Sequence, residues 1–457
     1  MISASRAYEY LDTERYKYTT TTIMSSVPTQ SIVIIGGGII GCTTAYYLAS
    51  HPKFDPAKTS ITLIEASAHG VAQGASGKAG GLVAKWAYPK ELVAVSFQEH
   101  VRLAQEHDGA SRWGWRFVNC GSWEGRGEVV EPDAAAGSGV GAGGRRKSLE
   151  KTLGLSDSES KPPTRSDTEA SLKERRAATG LPEDLNWVEP HLTDSYSSMA
   201  PSGATAQVHP YLFTTSMLEL AQARGVRFVQ GKVTSIVVDK PGTGNARRVG
   251  GVTYIPHGAQ EAERLLATHV ILSAGAWSPR IVPSLPISGT RAHSITIRPR
   301  PGTPIAPYVL FTEIALPASP KGGRAQQVSP EIYARPDDEV YCCGPGDDSA
   351  VPETVDDVQV DQGACESIRA HVASISRELR EGEVERRQAC FLPVVSVGGG
   401  PIVGEAKEIA EGLVVATGHT CWGICNAPGT AKAVAELVLE GKIKCANLNK
   451  LKPSRFL

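Results

Sequence analysis

Near the start of the chain, Gly36-Gly37-Gly38-Ile39-Ile40-Gly41 follows the spacing G-x-G-x-x-G. The glycines of such a run do different things. Gly36 makes a tight turn, Gly38 leaves room for a pyrophosphate, and Gly41 lets a helix pack closely on a strand. A helix opening at Ile39 and Ile40 then points its N-terminus, the positive end of its dipole, at two negative phosphates. In a chain with 47 glycines the spacing also arises by chance, so placement decides. Ser31 to Ile35 is a β-branched run that reads as a strand, and Ile39 to Ala49 has helical spacing. Ile61 to Ile64 reads as the next strand and stops at Glu65, 24 residues after Gly41, where a carboxylate can accept hydrogen bonds from ribose hydroxyls. The segment predicts a βαβ unit that binds a dinucleotide.

That motif does not separate flavin from nicotinamide dinucleotides. Two later runs bear on the choice. Ala72 to Gly81 is built of small residues, so the backbone around Ala75, Ser76, Gly77, Lys78, Gly80 and Gly81, leading into Leu82, can approach a flat ring or a phosphate unobstructed; its other reading is a flexible loop. Val270 to Ser278 is a buried strand that runs into the small-residue turn Ala274-Gly275-Ala276-Trp277.

With Pro401-Ile-Val-Gly404 and Leu413-Val-Val-Ala-Thr-Gly-His-Thr-Cys-Trp-Gly-Ile424, these residues in this order resemble the D-amino-acid oxidase family of FAD-dependent amine oxidoreductases, which includes glycine and sarcosine oxidases. Lys85-Trp-Ala-Tyr-Pro89 and a long insertion resemble, more narrowly, a fungal subgroup associated with late-endosome traffic. The resemblance implies an α/β fold: a Rossmann-like FAD-binding domain with a second, mainly antiparallel-sheet substrate domain. It implies FAD as cofactor, with Val233 and Gly404 among its contacts and the last motif at the pyrimidine edge of the ring. There the strand Leu413 to Ala416 ends at Gly418, and the chain passes His419, Trp422, Gly423 and Ile424 toward a helix whose N–H groups favour negative charge.

For catalysis the resemblance implies hydride transfer from the carbon beside a neutral amine to the flavin, with oxygen as the final acceptor. Tyr333 and Arg335 fall where the family places substrate-facing groups. An arginine is a natural fork for a carboxylate, although Arg335 can equally pair with Asp337 or Asp338. His419 either helps hold charge or binds substrate, or it is fixed by a backbone hydrogen bond. The lysine that sarcosine oxidases carry in the strand matching Val340 to Gly344 falls here on Cys342, and Cys390 resembles a position where some of them attach flavin. The rival functions are an FAD dehydrogenase with another acceptor and a flavin-stabilised scaffold in endosomal traffic.

Composition narrows the partners. A net charge of -1 with 21% charged residues offers no attraction to nucleic acid, and no apolar run reaches the roughly 20 residues a membrane span needs. Integral membrane association is not expected. Nine scattered cysteines, an odd number with one zinc-like spacing at Cys421 and Cys425, predict reduced thiols and no metal site. A small amine or amino-acid substrate remains as partner, and a cytoplasmic setting, with the late-endosome surface as alternative. Along the chain we expect a disordered tail over 1–30 and FAD-binding segments over 31–124, 181–286 and 396–457, the middle one also starting the substrate domain. The substrate domain proper is expected over 287–395, and the Gly-, Ser- and charge-rich stretch 125–180 as a disordered insertion. Val226 to Gln230 and Val233 to Val238 read as two strands.

Overall fold

The computed structural model describes residues 29–129, 169–239, 247–318 and 325–457. Eight strands form a first sheet in the order Glu263–Leu266, Arg248–Pro256, Arg227–Asp239, Thr59–Glu65, Gln30–Ile35, His269–Leu272, Leu413–Thr417, Ile402–Glu405. The five from Arg227–Asp239 to Leu413–Thr417 run parallel. In the first strand Ile32 and Ile34 face one core while Val33 and Ile35 face the other, all buried, as a central parallel strand requires. The helix Ile39–Ala49 follows directly and is buried along its whole length. Its neighbours on that side are the helices Pro210–Gln222 and Gly423–Glu440. Two tyrosines on it keep their hydroxyls paired: Tyr46 meets His107 Nε2 at 2.7 Å and Tyr47 donates to Glu99 Oε2 at 2.7 Å.

The second sheet is mainly antiparallel and runs Glu383–Val395, Ile287–Arg298, Val340–Cys343, Glu331–Ala334, Tyr308–Leu316, Asn119–Arg126, Thr193–Ser198. Its core holds Trp123, Trp187, Ile295, Ile314, Ile332 and Val372. The α/β architecture is thus a doubly covered parallel sheet joined to an antiparallel one.

Three boundaries differ from expectation. Asn119–Arg126, expected to close the first FAD-binding segment, belongs to the second sheet, because Trp123 is fully buried there and donates from Nε1 to Thr193 Oγ1 at 3.0 Å. Glycines at 121 and 125 hide its alternation; a Cβ on Gly121 would meet the Tyr196 ring at 2.2 Å. Arg227–Asp239 is one continuous strand, not two, with Gly231 at the point where Ile255 and Pro256 of the next strand approach. Both ends of the expected insertion have regular structure. Gly127 N–H reaches Ala315 O at 3.0 Å, and Glu169–Thr179 is a helix whose Arg175 donates to His191 O at 3.0 Å. That segment is rich in Ala, Arg, Glu and Lys, which lose little side-chain freedom in a helix. Residues 130–168 and 1–28, on which the rest of the insertion and nearly all of the tail fall, lie outside the described residues. Among the described residues no helix is long and apolar enough to cross a membrane, and no group of His, Cys, Asp and Glu suits a metal ion.

One buried histidine gives this fold an acid limit. His100 lies in the helix Lys90–Glu106, where Nε2 donates to the Ile424 and Cys425 carbonyls at 3.0 and 3.2 Å, while Nδ1 is buried without a partner among the described residues. Burial pushes its pKa down from 6.5 to about 4, so the folded chain keeps the ring neutral. In the unfolded chain the ring protonates near pH 6.5, so stability is lost as the pH falls from there toward 4, by about 1.4 kcal/mol per pH unit for this one group. We expect thermal unfolding between pH 6.5 and 4.5 to depend less steeply on pH in His100→Gln by about that amount. Coincident slopes would show that His100 takes up its proton in the folded state.

Candidate active site

A large cavity opens at the carboxyl ends of the parallel strands and reaches across to the second sheet; it is lined by Ile35, Ser273 and Ala416 on one side and Phe311, Glu331 and Tyr333 on the other. At the glycine turn the backbones crowd. Gly36 has φ +104°, and a Cβ there would lie 2.6 Å from Ser273 O. A Cβ on Gly41 would lie 1.9 Å from Gly36 O, which is why helix and strand approach so closely. Gly38 differs: a Cβ would meet only Ser76 Oγ, at 3.1 Å, because this glycine faces the cavity. No acidic residue stands in the first turn of Ile39–Ala49; Ile39 N–H is taken by Ser76 Oγ at 2.9 Å. Glu65 ends the second strand and accepts from Gly37 N at 2.5 Å and Ser67 N at 2.9 Å. Burial raises its pKa while these backbone donors pull it back, and its carboxyl still lines the cavity. Ala75, Ser76, Lys78, Gly80, Gly81, Leu82 and Val233 line the same cavity, as do Ile39, Ile40, Ala274, Gly275 and Trp277.

A second helix N-terminus enters from the other end. Gly423–Glu440 begins without a side-chain cap or an acidic residue in its first turn, and Gly418, His419, Trp422, Gly423 and Ile424 line the cavity there. Thr420 in this turn has φ +50°, a conformation that side chains seldom adopt. His419 is buried and its Nε2 meets Thr430 Oγ1 at 3.0 Å, so the ring is fixed by a side-chain partner rather than by a backbone one. Burial pushes its pKa down to about 3, so the ring is neutral near pH 7 and can take part in hydrogen bonds but carries no charge. A glycine-lined channel with two helix N-termini and a ribose-ready carboxylate is a donor set suited to FAD.

The second sheet supplies the opposite wall. Tyr333 lines it, and its hydroxyl donates to Glu331 Oε2 at 2.6 Å. Arg335 does not take the place expected for a carboxylate fork. It is buried outside the cavity lining, donates from Nη1 to Glu339 Oε2 at 2.8 Å and from Nη2 to Ala79 O at 2.5 Å, and lies over the Tyr341 ring at 4.9 Å. The partner is Glu339, not Asp337 or Asp338, because the turn Pro336–Asp338 swings those two away and brings Glu339 back beneath the guanidinium. Three expected contacts also lie outside the lining: Gly41, packed against Gly36 O, together with Gly77 and Gly404. Gly77 is pressed against Ala72 O, 1.9 Å from where its Cβ would be, and Gly404 against Pro453, at 3.0 Å. Cys342 faces the second core, whereas Cys343 and Cys390 line the cavity; burial pushes Cys390 up to about 11, which keeps the thiol protonated. Lys78 donates to Ala389 O at 3.1 Å beside it. Phe311, Glu331, Tyr341 and Cys343 were not singled out from the sequence, although the two-residue alternation of their strands carries the signal.

Residues 31–437, which include every residue lining the cavity, match the DAO family of FAD dependent oxidoreductases. The chain is 35% identical to the putative oxidoreductase TDA3 of Saccharomyces cerevisiae over 93% of this chain and 94% of that protein. Among solved structures, iminodiacetate oxidase from Chelativorans sp. BNC1 superposes with a TM-score of 0.62 at 18% identity, over 92% of this chain and 98% of that one. Glycine oxidase from Geobacillus kaustophilus does so with a TM-score of 0.62 at 16% identity, over 94% and 100%. At such identities these two show a shared fold. Two variants separate cofactor space from packing space. Gly38→Val should give a folded but colourless protein, and retention of stoichiometric FAD would refute the placement; Gly41→Val should not fold, as judged by circular dichroism. Arg335→Met should cost about 3–5 kcal/mol of stability, because it leaves Glu339 buried without its counter-charge; an unchanged denaturation midpoint would count against that pair. With the glycine turn, the two helix N-termini and the match across most of its length, the chain belongs to the DAO family of FAD-dependent oxidoreductases.

Proposed function

We propose that the chain oxidises an amine or amino-acid-like substrate, with oxygen as final acceptor. When bound, FAD supplies the acceptor for the hydride that leaves the carbon next to the amine nitrogen. The observation that carries this reading is the wall opposite the Gly418 to Ile424 turn: Phe311, Tyr333 and Tyr341 present aromatic surfaces there and Trp422 one from the turn itself, lining one cavity with a neutral His419. Surroundings of that kind disfavour an ammonium ion and favour the free amine, whose lone pair must assist departure of the hydride. His419 is too weak a base to take a proton near neutrality, so its part is to hold position at the turn through Thr430. The names of the two oxidases that share the fold, which concern iminodiacetate and glycine, support a small amine substrate. Gly36, Gly38 and Glu65 would serve the adenosine and pyrophosphate half, and Gly275, Gly418 and Gly423 the ring. Nine cysteines that form no disulfide among the described residues support a reducing, cytoplasmic setting.

The test is an anaerobic screen of primary and N-methylated amines and amino acids against the FAD-loaded protein, read as bleaching of the flavin absorbance. We expect at least one class to bleach it, and admission of air to restore the colour with one hydrogen peroxide formed per flavin. Failure of every amine to bleach it would overturn the reading; bleaching that air does not reverse would retain amine oxidation and remove oxygen as acceptor.

A further inference from the structure

Strand alternation places a carboxyl group in the cavity wall. Glu331 lies opposite Cys343 and Tyr333 opposite Tyr341 across one antiparallel pair, and Phe311 of the next strand lies opposite Glu331. All five line the cavity, while the alternate residues Ile332, Ala334, Val340 and Cys342 face the second core. Glu331 is only 8% exposed. Its Oε2 accepts from Tyr333 at 2.6 Å and from the Cys343 thiol at 3.7 Å; Oε1 has no partner among the described residues, and neither oxygen has a cation. A buried carboxyl without a counter-charge is unfavourable, and such groups concentrate where a ligand completes them.

The cations of the cavity are elsewhere. Arg280 and Lys232 both pair with Glu353, and Arg335 is held by Glu339 outside the lining. Lys78 donates to Ala389, on a strand three places away from that of Glu331 in the sheet, which is roughly 14 Å at the usual strand spacing. Around Glu331 the neighbours are two phenols, a thiol and a phenyl ring, none of which offers a positive charge. Aromatic faces attract cations as well.

Resting on the amine-oxidation reading above, we propose that Glu331 is a specificity-determining residue that receives the substrate's nitrogen as a cation and takes its proton, N–H breaking as the carboxyl O–H forms, so that the free amine stands ready for hydride loss and this protein prefers amines without a carboxylate. The aromatic rings of Phe311, Tyr333 and Tyr341 enclose the anchored group, and no arginine on this wall receives an acid.

Two probes with the same ring and opposite charges test the assignment without turnover. Benzyltrimethylammonium and benzoate are titrated into the FAD-loaded protein, and binding is followed by calorimetry and by perturbation of the flavin spectrum. We expect the cation to bind more tightly than benzoate to the wild type. Glu331→Gln, which keeps an oxygen for the Tyr333 hydroxyl, should weaken the cation at least tenfold and leave benzoate unchanged or tighter. Tighter binding of benzoate by the wild type, or an unaltered cation affinity in Glu331→Gln, overturns the proposal. The wild-type comparison decides even if the variant does not fold. Flavin reduction by N-methylbenzylamine and N-methylphenylglycine adds the matched pair: faster reduction by the carboxylated partner overturns the anchor while retaining amine oxidation. Glu331-dependent cation binding in a protein that no amine reduces would remove amine oxidation and leave the anchor in place.

Discussion

The backbone approach at the glycine turn, where Gly41 meets the carbonyl of Gly36 and Gly36 meets that of Ser273, fixes the rest of the site. No side chain fits between these segments. Because they touch, the first strand, the helix behind it and the parallel strand His269–Leu272 share one origin, and the cavity opens where all three end. Gly38 inherits its position from that contact and is the glycine of the turn that faces open space. The cofactor half of the site is therefore set by packing that leaves little freedom for variation, which is why its residue types and spacing can be recognised at all.

That rigidity explains what was legible in the sequence. Glycines at 36, 41 and 418 are demanded by backbone geometry, while Gly38 and Glu65 face the cavity that this geometry opens, and such demands leave a mark on residue type. The second sheet makes no such demand. Its strands were visible as β-branched pieces, but the face that each residue presents depends on register, and register is a tertiary property. Asn119–Arg126 shows the limit most clearly: its glycines at 121 and 125 erase the alternation that would have assigned it to the second sheet, and only the partner ring of Tyr196 explains the first of them.

Arg335 and Glu331 show how the charges at a cavity wall depend on where a strand ends. Counting by twos along the strand puts Glu331, Tyr333 and Arg335 on one face, and an arginine beside a tyrosine invites a carboxylate. The regular strand, however, ends at Ala334. Past that point Pro336 opens a turn in which Asp337 and Asp338 take left-handed φ values, and the chain returns with Glu339 directly under the guanidinium. The chain leaves the strand before Arg335 can share that face. A charge that looked available from sequence is satisfied locally, and one that attracted no notice is left facing the cavity.

The consequence reaches the chemistry. Burial makes an unpaired carboxyl hard to ionise, and Glu331 accordingly has a raised pKa, with desolvation the dominant cause and the Tyr333 and Cys343 hydrogen bonds opposing it. The same low polarity makes an ammonium ion unwelcome unless it sits beside an anion. Each charge removes the main objection to the other. A cation arriving at this wall offsets the cost of ionising the carboxyl it meets, whereas an anion meets a carboxyl group and aromatic faces of negative potential. His419 reinforces the asymmetry from the opposite side, since a ring held neutral offers an anion no charge. Positive potential in this cavity comes from the two helix N-termini and from Lys78, Lys232 and Arg280, of which the last two pair with Glu353 and the first donates to Ala389 O, so none of these side chains is held at Glu331.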